Sequence, residues 1–396
     1  MNSLNDKRNK NDWVMIISCL LLMISVFGFP DVSKFAYITR FLFIIAYFFS
    51  YFIRSPKLEL RYFMWATIIS IWGLINLAVS YDFSKTFLVY ITMLQAIWIG
   101  CFIYDWMRKS GNCTVVFMSV IFSALLLCFR LLRHLDLGRF GTRKIGMMLG
   151  VNVNALGFRI AIAFILLLTL TFQNKGRKNI RILCVVGDVI LIAFVLITGS
   201  RRALIICFVG VVILSLGFAQ NFTKTVKAIL IIVIVTIVLY QLLTKIPELY
   251  NIIGKRMEIF ISSFFSGGDY LDGGRDVMLN TAVKLFWERP LFGWGMGNFR
   301  EISGINNAYA HNTFAELLYA FGLPGLLLYY SFFLIVIKKL FRLDRKTKSI
   351  GIVLIMTSLI SDFASVNFSS IVSHFLLAII VFVSFDNMRY GFDVSY

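Results

Sequence analysis

The chain has 396 residues, is 59% hydrophobic and 15% charged, and carries a formal net charge of +19. Its mean hydropathy is +0.83. No water-soluble domain hides that much apolar surface, so lipid is the expected solvent and membrane lipid an expected partner; no nucleic-acid partner is expected.

A bilayer core takes roughly 20 apolar residues per helix, and on that measure the sequence predicts about twelve spans. They run over 13–29, 35–53, 62–79, 83–104, 113–132, 155–172, 180–198, 202–218, 225–243, 313–337, 349–365 and 371–385. In hydrocarbon every backbone polar group must bond within its own segment, so these are helices and the fold class is all-α and polytopic. The alternation of an outer-membrane barrel is absent. The first apolar run follows Lys7, Arg8 and Lys10, as in a signal peptide. Pro30-Asp31-Val32 offers no small-residue cleavage site, so the run is expected to stay as the first span.

Basic residues set the orientation. With the N-terminus inside, Lys7, Arg8, Lys10, Arg54, Lys57, Arg61, Arg108, Lys109, Lys175, Arg177, Lys178, Arg181, Lys224, Lys227, the Lys338–Lys348 cluster and Arg389 all fall on the inner side. The short outer turns carry only Lys34, Arg40, Lys85, Arg201 and Arg202. One large loop, 244–312, between the ninth and tenth spans is then external. Against this gradient, Arg130, Arg133, Arg139, Arg143, Lys144 and Arg159 surround the 133–154 connection. Lys245, Lys255, Arg256, Arg275, Lys284, Arg289 and Arg300 lie in the large loop. Outer cations suggest an anionic ligand at that surface. The six cysteines fall in or at the ends of spans, without zinc spacing, and read as apolar packing residues. No internal repeat is visible; residues 1–396 read as a single membrane domain capped by the loop.

Thr198-Gly199-Ser200-Arg201-Arg202 forms a very tight outer turn. Its arginines either snorkel to headgroups or present guanidinium forks to a phosphate. Gly273-Gly274-Arg275-Asp276 precedes a short amphipathic helix over 277–287, with Asp276 a candidate cap. Arg275 either pairs with Asp276 or Asp272 or comes down over a phosphate. Arg289-Pro-Leu-Phe-Gly-Trp-Gly-Met-Gly-Asn-Phe299 lacks the Lys-Ser/Thr of a phosphate-binding P-loop. Its glycines suit tight turns, and Trp294 suits a headgroup anchor or a sugar-stacking platform. His311-Asn312 opens the next span, with Asn312 as N-cap and Glu316 one turn further on. A neutral imidazole at His311 can take a proton from a hydroxyl, although an interfacial histidine also serves as a polar cap. Asn152 and Asn154 offer hydrogen bonds either to sugar hydroxyls or to bent backbone. Ionisable residues within spans (Arg159, Asp188, Glu316, Asp362) are functional candidates or packing pairs.

Together, Thr198–Ala203, Arg275, the Arg289–Phe299 loop and His311-Asn312-Thr-Phe-Ala-Glu316-Leu-Leu, with Gly322 and Gly325 following, resemble the bacterial O-antigen polymerase/O-antigen ligase superfamily. The resemblance covers about 198–330; the earlier spans agree in number and hydrophobicity only. It implies a metal-independent, cofactor-free, inverting membrane glycosyltransferase acting on a polyprenyl-diphosphate-linked oligosaccharide. The site would face the periplasm or cell exterior from the bacterial cytoplasmic (inner) membrane. It further implies a flippase and a chain-length regulator as partners. Arg201 and Arg275 match the diphosphate-binding arginines, and His311 matches the histidine that activates the acceptor hydroxyl. Arg202, Arg159, Arg289, Asn312, Glu316 and Trp294 are expected around the substrate. Tyr309-Ala310-His311-Asn312 and Leu328-Tyr329-Tyr330 favour a repeat-unit polymerase for O-antigen, capsule or exopolysaccharide. The alternatives are a ligase to lipid A-core or protein, and a flippase or transporter. A transporter predicts paired half-sequences and Gly/Pro-broken helices at matching positions, and the sequence shows neither. Glycosyl transfer is excluded if Arg201, Arg275 and His311 lie in separate compartments, or more than a sugar's breadth from any shared cavity.

Overall fold

The computed structural model describes residues 2–52, 60–110, 113–133, 149–174, 176–219, 274–305 and 309–386, plus scattered positions between 221 and 250; the side chains of 2–12, 51–52 and 110 are excepted. The expected span 225–243 falls largely outside these residues. So do His134, Arg139, Arg143 and Lys144, and in the large loop Lys255, Arg256, Asp272 and Gly273.

Among the described residues there are helices and no strands. They are α1 (Asn2–Met23, continued by a π-turn Ile24–Gly28), α2 (Ser33–Tyr47, continued by Phe48–Phe52), α3 (Leu60–Ala78), α4 (Phe83–Ser110), α5 (Cys113–Arg133), α6 (Val153–Gln173), α7 (Lys178–Thr198), α8 (Arg201–Gly217), α9 (Arg275–Glu288), α10 (Phe299–Ser303), α11 (Thr313–Leu340), α12 (Arg345–Ala364) and α13 (Ile371–Phe385). Among the described residues eight helices are long and apolar enough to cross a membrane, and Trp13–Gly28 and Ile371–Phe385 are shorter apolar helices. The 277–287 helix starts two residues earlier than expected. Gly274, in the left-handed region at φ 79°, is its N-cap, and Asp276 sits within the first turn. An αL glycine reverses the chain more tightly than an aspartate cap allows.

Burial sorts these helices into an axis and a rim. α13 is apolar on every face, and Ile371 to Ser384 are all buried, as for a helix enclosed by protein. It packs against α4, α11 and α12, while α6 packs against α7 and α8. On α7, by contrast, Ile182, Leu183, Val185, Val186, Val189 and Ile190 stay exposed, the surface expected to meet acyl chains. Asp188 faces inward from the same helix, and its carboxylate accepts from the Thr171 hydroxyl at 2.8 Å. It is thus a packing contact between α6 and α7.

Polar contacts gather at the two ends of the bundle. At one end lie the Tyr47–Asp105, Lys109–Asp105, Tyr104–Asp386 and Arg108–Asp386 contacts at 2.7, 2.6, 2.6 and 3.2 Å. At the other, Arg130 makes a forked pair with Asp31, both contacts at 2.8 Å, which occupies one of the outer cations. The connections 29–32, 79–82, 149–152, 199–200, 289–298, 304–305, 309–312 and 365–370 belong to this second end.

The glycine-rich loop is seated there on a broken helix. α11 contains Gly322 at φ 71°, ψ −178°, followed by Pro324. Pro324 has no N–H, and the Leu323 N–H turns away to the Pro290 carbonyl at 2.8 Å. The carbonyls of Tyr319 and Ala320 therefore lose their helical donors, at about 1–3 kcal/mol each if left bare in a buried site. The loop supplies replacements: Trp294 N–H donates to Tyr319 O at 2.9 Å and Gly295 N–H to Ala320 O at 3.1 Å. The buried Asn76 amide donates to Phe292 O at 2.8 Å and to Ala320 O at 2.6 Å. Thr86 donates to Met296 O at 3.0 Å. So one helix break is present that the sequence did not announce, and the loop fills it.

Gly293 shows how tight this docking is. At φ 70° a Cβ there meets the Ala320 carbonyl at 2.5 Å, whereas at Gly304, φ 68°, a Cβ meets nothing within 4 Å. Gly304→Ala is expected to cost only backbone strain, about 1 kcal/mol, and Gly293→Ala about 2–3 kcal/mol or more. Thermal unfolding of the detergent-solubilised variants checks the order, with Gly293→Ala losing the larger share of Tm.

Candidate functional site

The second end of the bundle encloses a cavity of about 510 Å³. Small-molecule sites range over about 300–1,000 Å³. Its walls come from seven segments of the sequence. They are Asn152–Arg159 of α6 and its cap, Arg202 of α8, Arg275 of α9, Tyr309, His311 and Glu316 around the start of α11, the 364–372 connection, and Val89 with Gly297.

Three arginines face this space. Arg159 is pinned by its Nε to Val26 O at 2.9 Å and by one terminal nitrogen to Ala155 O at 2.9 Å. Arg202 is 7% exposed. It donates to Asn154 O at 2.7 Å, to Ser361 Oγ at 3.2 Å and to Ser365 Oγ, and lies 4.8 Å over the Phe158 ring. Arg159 and Arg275 are close enough for Arg202 to feel their charge, with the buried Asp362 on the opposite sign. Asp362 is itself fully engaged, accepting from Thr313 at 3.1 Å, Asn367 at 3.1 Å and Tyr330 at 3.0 Å. Arg275, the first residue of α9, makes no ion pair among the described residues. The partners holding Arg159 and Arg202 are mostly neutral, so they orient the guanidiniums and leave the cavity positive.

His311 closes the site. It is the one non-glycine residue with positive φ among the described residues, at 56°. Its ring lies 4.4 Å from that of Tyr309, tilted by 59°. Burial, and then the positive charge of Arg275, hold its imidazole pKa below the ordinary value, so the neutral form prevails at pH 7. Among the described residues no group of three or more His, Cys, Asp or Glu side chains lies together as a metal site would require.

The structure thus brings Arg159, Arg202, Arg275, His311 and Glu316 to one cavity. It does not bring Arg201, Arg289, Trp294 or Asn312 to its wall. Successive helical residues point about 100° apart, and of the two adjacent arginines it is Arg202 that lines the cavity. Trp294 is a strut: its indole N–H donates to Leu285 O at 2.8 Å and Arg289 lies 4.1 Å over its ring. Asn312 caps α11, accepting from Ala315 N–H at 3.1 Å. Asn152 caps α6 in the same way, through Asn154 N–H at 2.8 Å, and also lines the cavity. Sequence reasoning missed the wall made by Ser365, Asn367, Ser369 and Ser370. The available signal was a run of small polar residues between two apolar spans.

An all-helical membrane protein whose bundle end holds an arginine- and histidine-lined cavity is the class that fold and site define. Residues 186–330 match the family model described as O-Antigen ligase. That segment contains Arg202, Arg275, His311 and Glu316, and over it the chain is similar to the O-antigen ligase family. No curated protein matches the chain.

The electrostatics can be read directly, because the chain has three histidines. In NMR of histidine-labelled protein, His311 is expected to titrate below the ordinary imidazole range. Arg275→Gln removes a repelling charge and is expected to move that midpoint upward; an unmoved midpoint would show that Arg275 does not act on the ring.

Proposed function

We propose that this protein polymerises lipid-linked oligosaccharide repeat units. It transfers a glycan from polyprenyl diphosphate to an acceptor sugar hydroxyl at the outer face of the bacterial cytoplasmic membrane. The observation that carries this reading is the convergence of three arginines and one neutral histidine on a single cavity within the family-matched end of the bundle. About twelve spans, with the 244–312 loop outside, accord with it. The connections that contribute to the cavity wall, at Asn152, at Gly297, Tyr309 and His311, and at 365–370, all fall on the outer side of that count.

The chemistry follows from the groups present. The acceptor hydroxyl attacks the anomeric carbon from the face opposite the diphosphate. The new C–O glycosidic bond forms as the anomeric C–O bond to phosphate breaks, with inversion. The bonding pair leaves on the diphosphate oxygen, where Arg275, Arg202 and Arg159 stabilise the developing charge. The hydroxyl proton goes to the His311 imidazole, which is available because it is neutral. The resemblance pointed to Arg201 for the diphosphate; the inward orientation of Arg202 supports its neighbour instead. Asn152, Asn154 and the serine wall suit sugar hydroxyls.

Polymerase is favoured over ligase by the Tyr309–Asn312 and Leu328–Tyr330 segments. Transport is disfavoured because the carbonyls freed in the α11 break already hold loop N–H groups and Asn76, where a transporter would turn them to an ion or solute. Deletion of the gene, followed by glycan electrophoresis, separates the three. A polymerase loss leaves single repeat units on the final acceptor, a ligase loss strands long chains on the lipid carrier, and a flippase loss traps short units inside.

Arg275→Ala is expected to lower polymer formation about 100-fold, the scale for removing one preorganised electrostatic donor. Arg201→Ala should cost far less than Arg202→Ala. Near-normal polymer from Arg275→Ala counts decisively against transfer at this cavity.

A further inference from the structure

His311 is held in an uncommon backbone conformation, and something must keep it there. Left-handed φ is rare for a residue with a Cβ, and here it turns the imidazole towards the cavity. The preceding residue, Ala310, is buried. Its N–H donates to Glu316 Oε2 at 2.8 Å. Glu316 is 2% exposed, and its other oxygen accepts from the Tyr319 hydroxyl at 2.9 Å. Glu316 N–H in turn donates to Asn312 O at 2.9 Å, and Asn312 Oδ1 accepts from Ala315 N–H. The carboxylate thus reaches back from the first turn of α11 across its cap and ties down the peptide on the far side of His311. In a capping box an acid in the first turn bonds the cap residue's own N–H. Here the bonded N–H lies two residues before the cap, at Ala310, and His311 stands between the two.

We infer that Glu316 is a positioning residue that holds His311 at its working angle through Ala310, rather than a group that binds sugar or exchanges the proton. The inference rests on His311 acting as the base of the proposed transfer. Both Glu316 oxygens already carry protein donors, and neither contact is to the imidazole. What the carboxylate supplies is an acceptor in a fixed place, and an amide oxygen can supply the same.

The test is a double-mutant cycle in the full-length protein, reconstituted with a lipid-linked repeat unit as both donor and acceptor. Kinetics are measured for Glu316→Ala, Glu316→Gln, His311→Ala and the Glu316→Ala/His311→Ala pair. A displacement of the base by about 1 Å costs about 100-fold. Glu316→Ala is therefore expected to lower kcat by about 10- to 100-fold with KM nearly unchanged. Glu316→Gln should restore most of that loss with the pH profile of the wild type. In the His311→Ala background Glu316→Ala should cost nothing further, because there is no base left to misplace.

Four results overturn the inference: wild-type kcat in Glu316→Ala, a Gln variant as poor as Ala, a loss confined to KM, or an additive loss in the double variant. The last also covers a Glu316→Ala protein that merely folds badly. Wild-type turnover in His311→Ala would instead sink the proposed transfer chemistry, and so is distinguishable from failure of the positioning role alone.

Discussion

The convergence of the guanidinium groups of Arg159, Arg202 and Arg275 on one cavity is the constraint on which the site depends. Cations facing one partly sheltered space oppose one another more strongly than they would in bulk water. A protein that wanted only stability would pair each with a carboxylate. Here the arginines are held chiefly by neutral acceptors: the carbonyls of Val26, Ala155 and Asn154, and the hydroxyls of Ser361 and Ser365. Asp362 moderates the field at Arg202 but divides its oxygens among Thr313, Asn367 and Tyr330. The positive potential is thereby left open to an anionic ligand, and the charge and geometry of the proposed diphosphate suit several forks at once.

Keeping that cluster in place needs a stiff frame, because like charges would otherwise spread apart. The frame is the seam between the glycine-rich loop and the broken α11. The loop N–H groups replace the helical donors lost at Gly322 and Pro324, so loop and helix are bound by the same backbone groups that a continuous helix would have used. The seam holds α9, and with it Arg275, beside the start of α11, where His311 and Glu316 sit. Buried residues Met278, Ala282, Leu285 and Phe286 give α9 one apolar face to press inward, and Trp294 braces it from the loop. A defect in this seam is felt at the cavity even though no glycine of the seam other than Gly297 lines it.

Much of the architecture was legible because lipid reduces the problem to length and hydropathy. Apolar runs near 20 residues become helices, and helices appear where such runs were expected in the described residues. The polar stretch around Arg275, Arg289–Phe299 and His311–Asn312 was conspicuous against an apolar background, and it carries two walls of the cavity. The helix cap at Asn312 was also readable, since the residue type and its place before an apolar run determine it.

Other features depended on direction and distance, which composition does not encode. Two adjacent arginines look equivalent in sequence, yet they point about 100° apart, and packing of α8 against α6 and α12 set Arg202 in the cavity wall. Trp294 and Arg289 resemble ligand groups until the loop folds and stacks one on the other. The Ser365–Ser370 connection became a wall only because α12 and α13 end beside α6 and α8. The chain alone determined that this is a helical membrane protein with a cationic, histidine-bearing polar segment. The tertiary structure decided which of those groups converge, because convergence of residues more than a hundred positions apart is set by helix rotation and inter-helix packing, to which a linear pattern is blind.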